Sequence, residues 1–146
     1  TLVLLKHRLE SYETEVNINR ESGRLPLIKI DQEHLKEALV NILINACDAI
    51  IREGKISIME YIKTSDNGEK YAAIKISDNG PGIPEKFRHK IFDPFFTQKE
   101  EGTGLGLSIA AHIIQRHGGK LSLLPDETGR GAIFEISLPF KEEEGD

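Results

Sequence analysis

The chain is poor in the residues that build disulfide frameworks, metal clusters and large aromatic cores. Its 146 residues include one cysteine, one methionine, no tryptophan, three tyrosines and six phenylalanines. A lone thiol, Cys47, can neither close an internal disulfide nor supply a cysteine-based metal cluster. It sits in Asn45-Ala46-Cys47-Asp48-Ala49-Ile50, inside a helical pattern, and reads as a reduced packing thiol, which points to the cytoplasm. No apolar run approaches the roughly 20 residues of a membrane span, and nothing at the N-terminus reads as a secretory leader, so no membrane contact is expected of these residues. A basic excess is missing too. Nineteen Lys and Arg stand against 24 Asp and Glu, a formal charge of −5, which argues against nucleic acid as a partner. Internal repeats and low-complexity segments are absent. What remains is ordinary for one globular domain: 38% apolar and 29% charged residues, and length enough for a single core.

Residues 1–14 start in the middle of an element, with no start signal before the first apolar residues, and are read as the remnant of an upstream connection. Glu15-Val16-Asn17-Ile18-Asn19 alternates polar and apolar, the period of a half-buried strand, and Arg24–Ile30 reads as a second extended stretch with Pro26 favouring an edge. Asp31 is a candidate N-cap for a long helix over 32–52 that Gly54 closes. Strands over 55–63 and 70–77 flank Ser65-Asp66-Asn67-Gly68, whose Asn-Gly pair signals a hairpin. Residues 78–103 are rich in Gly and Pro around a short helical stretch near 85–91. A helix over 105–117 ends at His117-Gly118-Gly119, and strands over 120–124 and 131–138 close the pattern. The expected fold is an α+β two-layer sandwich: a mixed, mainly antiparallel sheet of about five strands, covered on one face by about three helices.

The long helix carries two chemically different faces. At about 100° per residue, Glu37, Asn41, Asn45 and Asp48 fall within roughly an 80° arc, opposite the apolar stripe Leu35, Leu39, Ile42, Ala46 and Ile50. A merely solvated face favours Lys, Glu, Gln and Arg, whereas Asn is a poor helix former. Two Asn one turn apart read as a row of oxygen ligands lining a cavity.

Two glycine loops stand out. Asp78-Asn79-Gly80-Pro81-Gly82-Ile83-Pro84 follows a strand and repeats the Asp-Asn-Gly of the hairpin, but its extra Gly and Pro stiffen a loop instead of reversing a ladder. An ionised Asp there, an acceptor only, suits an exocyclic amino group. Gly102-Thr103-Gly104-Leu105-Gly106-Leu107-Ser108 runs into a helix, and glycines at a helix N-terminus let backbone N–H groups approach a phosphate. Neither the P-loop nor the Gly-x-Gly-x-x-Gly pattern is present. Between the loops lies Ile91-Phe92-Asp93-Pro94-Phe95-Phe96-Thr97-Gln98-Lys99, which reads as a mobile lid anchored by aromatics, with Lys99 as a point charge for phosphate.

Together these segments resemble the catalytic ATP-binding domain of sensor histidine kinases, in the superfamily that includes gyrase, the heat-shock chaperone ATPases and MutL. The N-box is similar to residues 37–46, the first glycine box to 78–83, the F-box to 92–96 and the second glycine box to 102–107. Gly118-Gly119 and the closing Gly131–Pro139 also suit a histidine kinase. The resemblance implies the Bergerat fold with an ATP lid. It implies an upstream remnant over 1–14, a catalytic domain over 15–140 and an acidic tail over 141–146. Its cofactors are ATP and Mg²⁺.

Carried onto this sequence, the resemblance has Asp78 accept from the adenine amino group and Gly82 allow close approach of the base, with Gly80 and Ile83 among the cofactor-binding residues. Asn41 holds Mg²⁺ through its amide oxygen and Asn45 bonds near the phosphates or base. Glu37 is the catalytic residue that orients or deprotonates the incoming nucleophile. Gly102, Gly104 and Gly106 let the lid fold over the triphosphate, and Phe92, Lys99, Thr103, Leu105 and Leu107 are further cofactor-binding candidates. One departure matters: many relatives carry a basic residue where Asp48 stands, and Lys99 or Arg116 is the candidate substitute cation. None of His7, His34, His89, His112 or His117 has the context of a phosphoacceptor, each reading as a surface or helix-end residue. The resemblance therefore implies a monomeric chain that binds Mg·ATP, cannot phosphorylate itself, and serves a histidine on a separate dimerisation domain and, through it, a response regulator. Membrane anchoring of a longer parent is left open. The alternative within the superfamily is a serine-phosphorylating anti-sigma factor.

Overall fold

Period-two alternation in five segments builds one sheet, and two amphipathic helices close its apolar face. The structure is a computed structural model and describes residues 10, 14–21, 23–50, 53–97, 102–126 and 131–142. Strand β1 is Glu15–Arg20, β2 is Lys55–Thr64, β3 is Lys70–Asp78, β4 is Lys120–Leu124 and β5 is Ile133–Phe140. The sheet order is β1-β2-β3-β5-β4; only β1 with β2 is parallel among these pairs, as a mixed and mainly antiparallel sheet requires. Helix α1 is Gln32–Ala49 and helix α2 is Gly106–Arg116.

The register decides which side chains meet. Ile58 lies opposite Ile76, Ile76 opposite Phe134, and Leu123 opposite Phe134 on the next strand. These cross-strand pairs put one face of the sheet against Ala38, Ile42, Ala46 and Cys47 of α1 and Ala110, Ile113 and Ile114 of α2. Asp78 follows Ile74 and Ile76 at period two and lies opposite Ile56, so the last side chain of β3 is delivered to the helix side of the sheet. Cys47 is fully buried, the packing thiol expected of it. The opposite face is polar. Buried Glu135 takes the Tyr61 hydroxyl and pairs with the Lys63 ammonium, and the Ser137 hydroxyl donates to it at 3.3 Å.

Five local expectations are corrected. Strand β1 pairs with β2, but every residue of it is exposed, Ile18 at 64%, so its alternation does not mark a half-buried strand. Residues 24–30 are not a strand: Ile28 and Ile30 turn onto the core, so the apolar alternation is satisfied by packing, and Pro26 offers no ladder donor. Helix α1 stops at Ala49, before position 52, because Ile50 is already extended at φ −87°, ψ 129°. Gly54 therefore does not cap it; it is buried against Ile50, where a Cβ would come within 2.6 Å. The stretch near 85–91 is a single 3-10 turn, Glu85–Phe87, entered from Pro84, so it adds no α-helix beside α1 and α2. Among the described residues no helix is long and apolar enough to cross a membrane.

Candidate functional site

Helix α1 carries the polar row expected of it. Asp31 starts the helix by accepting from the backbone N–H groups of Glu33 at 3.0 Å and His34 at 3.1 Å. Glu37 is exposed, while Asn41, Asn45 and Asp48 are half-buried along the same face. Ala38, Val40, Ile42, Ala46, Cys47 and Ile50 are buried; Leu35 and Leu39, expected in the apolar stripe, are only partly buried.

The row touches both glycine loops. Gly106, the first residue of α2, lies beside Asn41: a Cβ at that glycine would sit 3.5 Å from Asn41 Oδ1. At the other end of α1, a Cβ at Gly80 would sit 2.9 Å from the Ala49 carbonyl oxygen. Eight residues of helix, about 12 Å, separate these two approaches, and Asn45 lies between them. The arrangement offers a ligand two recognised ends along one helix face.

At the Gly80 end stands a buried acid held by backbone N–H groups. Asp78 is 7% exposed, and its Oδ1 accepts from the backbone N–H of Gly80 at 2.9 Å and of Ala132 at 3.3 Å. Among the described residues Oδ1 takes both of these hydrogen bonds and Oδ2 takes none, so the second carboxylate oxygen is left to accept from an incoming donor. Burial pushes the Asp78 carboxyl above its ordinary value; the two backbone bonds pull it back and the nearby Asp126 carboxylate adds to the rise. The walls are glycine because nothing larger fits. Gly131 has φ +90°, and a Cβ there would lie 1.8 Å from the Asp78 carbonyl oxygen. Gly82, at φ +79°, has the Gly131 carbonyl 2.9 Å from the same point. Asn79 pins the loop to the sheet, accepting from Lys55 N–H at 2.8 Å and donating to Glu53 O at 3.1 Å.

Residues 92–96 fold onto the second glycine loop. Phe95 N–H donates to Gly104 O at 2.9 Å, and a Cβ at Gly104 would meet the Phe95 backbone at 2.4 Å. Phe95 itself has φ +67° and is 75% exposed. Phe92 packs edge-on to Phe134 at 6.3 Å and Phe96 lies tilted against Phe87 at 5.4 Å, so these two rings anchor the segment to the body. Thr103 Oγ1 accepts from Leu105 N–H at 3.4 Å, Gly102 and Thr103 are exposed, and Leu107 and Ile83 pack onto the core. Lys99 lies outside the described residues. Arg116 ends α2, about 15 Å from Gly106 at helical rise.

Sequence reasoning missed Gly131, Ala132 and the pinning role of Asn79. Their contacts with Asp78, Lys55 and Glu53 span 24 to 54 positions, and only the glycine at the start of a strand gave any signal. A cleft of about 750 Å³ also opens at the other end of β3, lined by Lys70, Tyr71, Gly118 and Phe140, remote from Asp78.

Comparison with known proteins bears on the whole arrangement. Residues 30–142 match the family described as histidine kinase-, DNA gyrase B- and HSP90-like ATPase. The signal transduction histidine-protein kinase AtoS of Escherichia coli (strain K12) is 45% identical over 124 residues, covering 84% of this chain and 19% of that protein. The catalytic domain of histidine kinase ThkA, in a nucleotide-free form, superposes with a TM-score of 0.77 at 33% identity, over 94% of this chain and 86% of that one. Full-length ShkA in complex with AMPPNP superposes with a TM-score of 0.74 at 28% identity, over 94% of this chain and 28% of that one. The chain thus spans about a fifth of the length of AtoS.

Proposed function

The chain belongs to the histidine kinase-, DNA gyrase B- and HSP90-like ATPases, on the side of the sensor histidine kinase catalytic domains, and from that premise we propose that it binds Mg·ATP and donates the γ-phosphoryl group to a histidine on a separate helical domain. The observation that supports this reading best is that a single face of α1 meets Gly106 at Asn41 and Gly80 at Ala49. Asp78, with Oδ2 uncommitted inside a glycine-walled notch, accepts from the adenine amino group, and Gly80, Gly82 and Ile83 leave room for the ring. Asn45 bonds to the middle of the nucleotide. The N-terminus of α2 and the loop from Gly102 to Leu107 face the phosphates and offer them backbone N–H groups, that of Leu105 excepted because it donates to Thr103 Oγ1.

Asn41 is the residue suited to Mg²⁺: its carboxamide oxygen is a hard, neutral ligand beside the phosphate-binding end. The ion would supply charge neutralisation at the phosphate oxygens, keeping water and phosphate as its other ligands. Glu37, exposed one turn before Asn41, orients the acceptor imidazole and takes its proton as nitrogen bonds to the γ-phosphorus and ADP departs. Positioning and electrostatics account for most of such a transfer. The acceptor sits on a dimerisation domain, and a response regulator takes the phosphoryl group from it. A domain that uses ATP in this way works in the cytoplasm.

Calorimetric titration with ADP, ATP and GTP, each with and without Mg²⁺, tests the site. Adenine nucleotides bind, GTP does not, and Asn41→Ala removes the Mg²⁺ dependence while sparing metal-free binding. Equal affinity for GTP would sink the adenine assignment. Adding a separately made helical hairpin with a phosphoacceptor histidine yields acid-labile phosphate on the hairpin and none on this chain. Acid-stable phosphate on an added partner points instead to the serine-kinase class.

A further inference from the structure

Helix α1 begins where α2 ends, and one imidazole joins them. The Asp31 side chain caps α1, but the Asp31 backbone N–H lies outside the helix and donates to His117 Nε2 at 3.3 Å. The other ring nitrogen, Nδ1, is 2.8 Å from the Ile113 carbonyl oxygen, one turn earlier in α2. A neutral imidazole has one donor and one acceptor. Because a backbone N–H can only donate and a carbonyl can only accept, the contacts assign the proton to Nδ1 and the lone pair to Nε2. The His34 ring meets His117 edge-on at 6.2 Å, and its Nδ1 lies 3.7 Å from Asp31 Oδ2. The titratable groups facing His117 from α1 are therefore the Asp31 carboxylate and His34; on its own helix the neighbouring charge is Arg116.

We infer that His117 is a positioning residue for the nucleotide site, a tie that works only as the neutral ring. The inference rests on the Mg·ATP reading above and deepens it. Helices α1 and α2 supply the two walls of the phosphate end, Asn41 on one and Gly106 on the other. His117 fixes the same two helices to each other about 16 Å further along α2, so its bond limits how far they can pivot apart at Gly106. Protonation sets two N–H donors against each other at Asp31. It also turns the charged ring toward the Asp31 carboxylate, which is held below its ordinary value chiefly by the His34 backbone N–H. The tie to the amide is lost and the α1–α2 angle is freed.

The test uses the ¹⁵N-labelled chain without nucleotide, then with ADP. In the wild type the Asp31 amide proton resonance shifts as histidines take up a proton, and ADP affinity falls about threefold to tenfold over the same range, the worth of one hydrogen bond. His117→Gln, whose amide oxygen accepts without titrating, abolishes the Asp31 step and keeps the affinity across that range. His117→Leu weakens ADP by the same factor at every pH, and His34→Gln leaves the step in place. An Asp31 step that survives His117→Gln, or wild-type ADP affinity in a folded His117→Leu, overturns the inference. If His117→Leu does not fold, the His117→Gln titration decides alone. Absence of ADP binding in the wild type would defeat the nucleotide reading, whereas the nucleotide-free Asp31 titration still judges the tie.

Discussion

Residues 66–68 and 78–80 are both Asp-Asn-Gly, one at each end of β3. At the first, every contact closes within five residues. Gly68 N–H donates to Ser65 O at 2.9 Å, Ser65 N–H donates to Glu69 O at 2.8 Å, and Asn67 Oδ1 accepts from Glu69 N–H at 3.2 Å. Gly68 has φ +84°, and a Cβ there would meet nothing within 4 Å. At the second, Asp78 bonds across to Ala132, Asn79 to Lys55 and Glu53, and Gly80 abuts the end of α1. Identical letters make a solvated turn in one place and the wall of a cleft in the other. The difference lies in the partners, and long-range partners turn a short polar triplet into a rigid acceptor.

The largest separation between the two is steric. Gly131→Ala places a Cβ against the Asp78 carbonyl in a positive-φ backbone, and costs about 3 kcal/mol or more of stability by overpacking and strain together. Gly68→Ala faces open space and costs only about 1 kcal/mol, for its left-handed backbone. Urea denaturation of both variants measures this, and similar losses would erase the contrast.

Next comes ligand chemistry. Asp78→Asn presents a donor where an acceptor is needed and weakens ADP about 10- to 150-fold, the range of a charge-assisted hydrogen bond. It does not lower the melting temperature, because it removes a buried charge while its amide oxygen still accepts from Gly80 and Ala132. Asp66→Asn alters neither quantity. A melting temperature that falls in parallel with affinity would make Asp78 a structural acid.

The two triplets also separate by pH. The Asp78 carboxyl is raised above its ordinary value of 3.8 by burial, so between that value and the raised one the folded chain binds more protons than the unfolded chain. Stability therefore falls as pH rises through this window, while adenine binding, which needs the ionised acceptor, grows. Asp78→Asn flattens both trends and Asp66→Asn flattens neither. Parallel pH profiles for stability and ADP affinity would contradict the assignment.

The same contrast explains what the sequence could disclose. The hairpin at 65–68, the cap at Asp31 and the polar row of α1 depend on residues within one or two turns, and each was legible. The glycine loops were legible because their order along the chain resembles a known family. The tie between Asp31 and His117 and the closure of Gly131 on Asp78 were not, since each joins segments more than 50 positions apart. The expected strand at 24–30 failed for a related reason: alternation reports which side chains turn inward, and Ile28 and Ile30 do, but it does not report whether a neighbouring strand is there to pair.

The smallest expected effect isolates the range of the contacts from everything else. Asn67 and Asn79 are both exposed, both are the middle residue of the triplet, and both use Oδ1 to accept from a backbone N–H. Asn67 bonds two residues away and Asn79 bonds 24. Removing Asn67 with Asn67→Ala frees a turn that the Gly68 and Ser65 backbone bonds still close, a change within about 0.5 kcal/mol. Asn79→Ala releases Lys55 N–H and Glu53 O together and unpins the Asp78 loop from the start of β2, costing about 1–2 kcal/mol. It also weakens ADP a few fold, since the loop that holds Asp78 gains freedom that binding must remove. Urea midpoints and ADP titration of the two variants measure the difference. Equal costs would mean that sequence distance adds nothing, and that Asp78 is held by its own two backbone bonds alone.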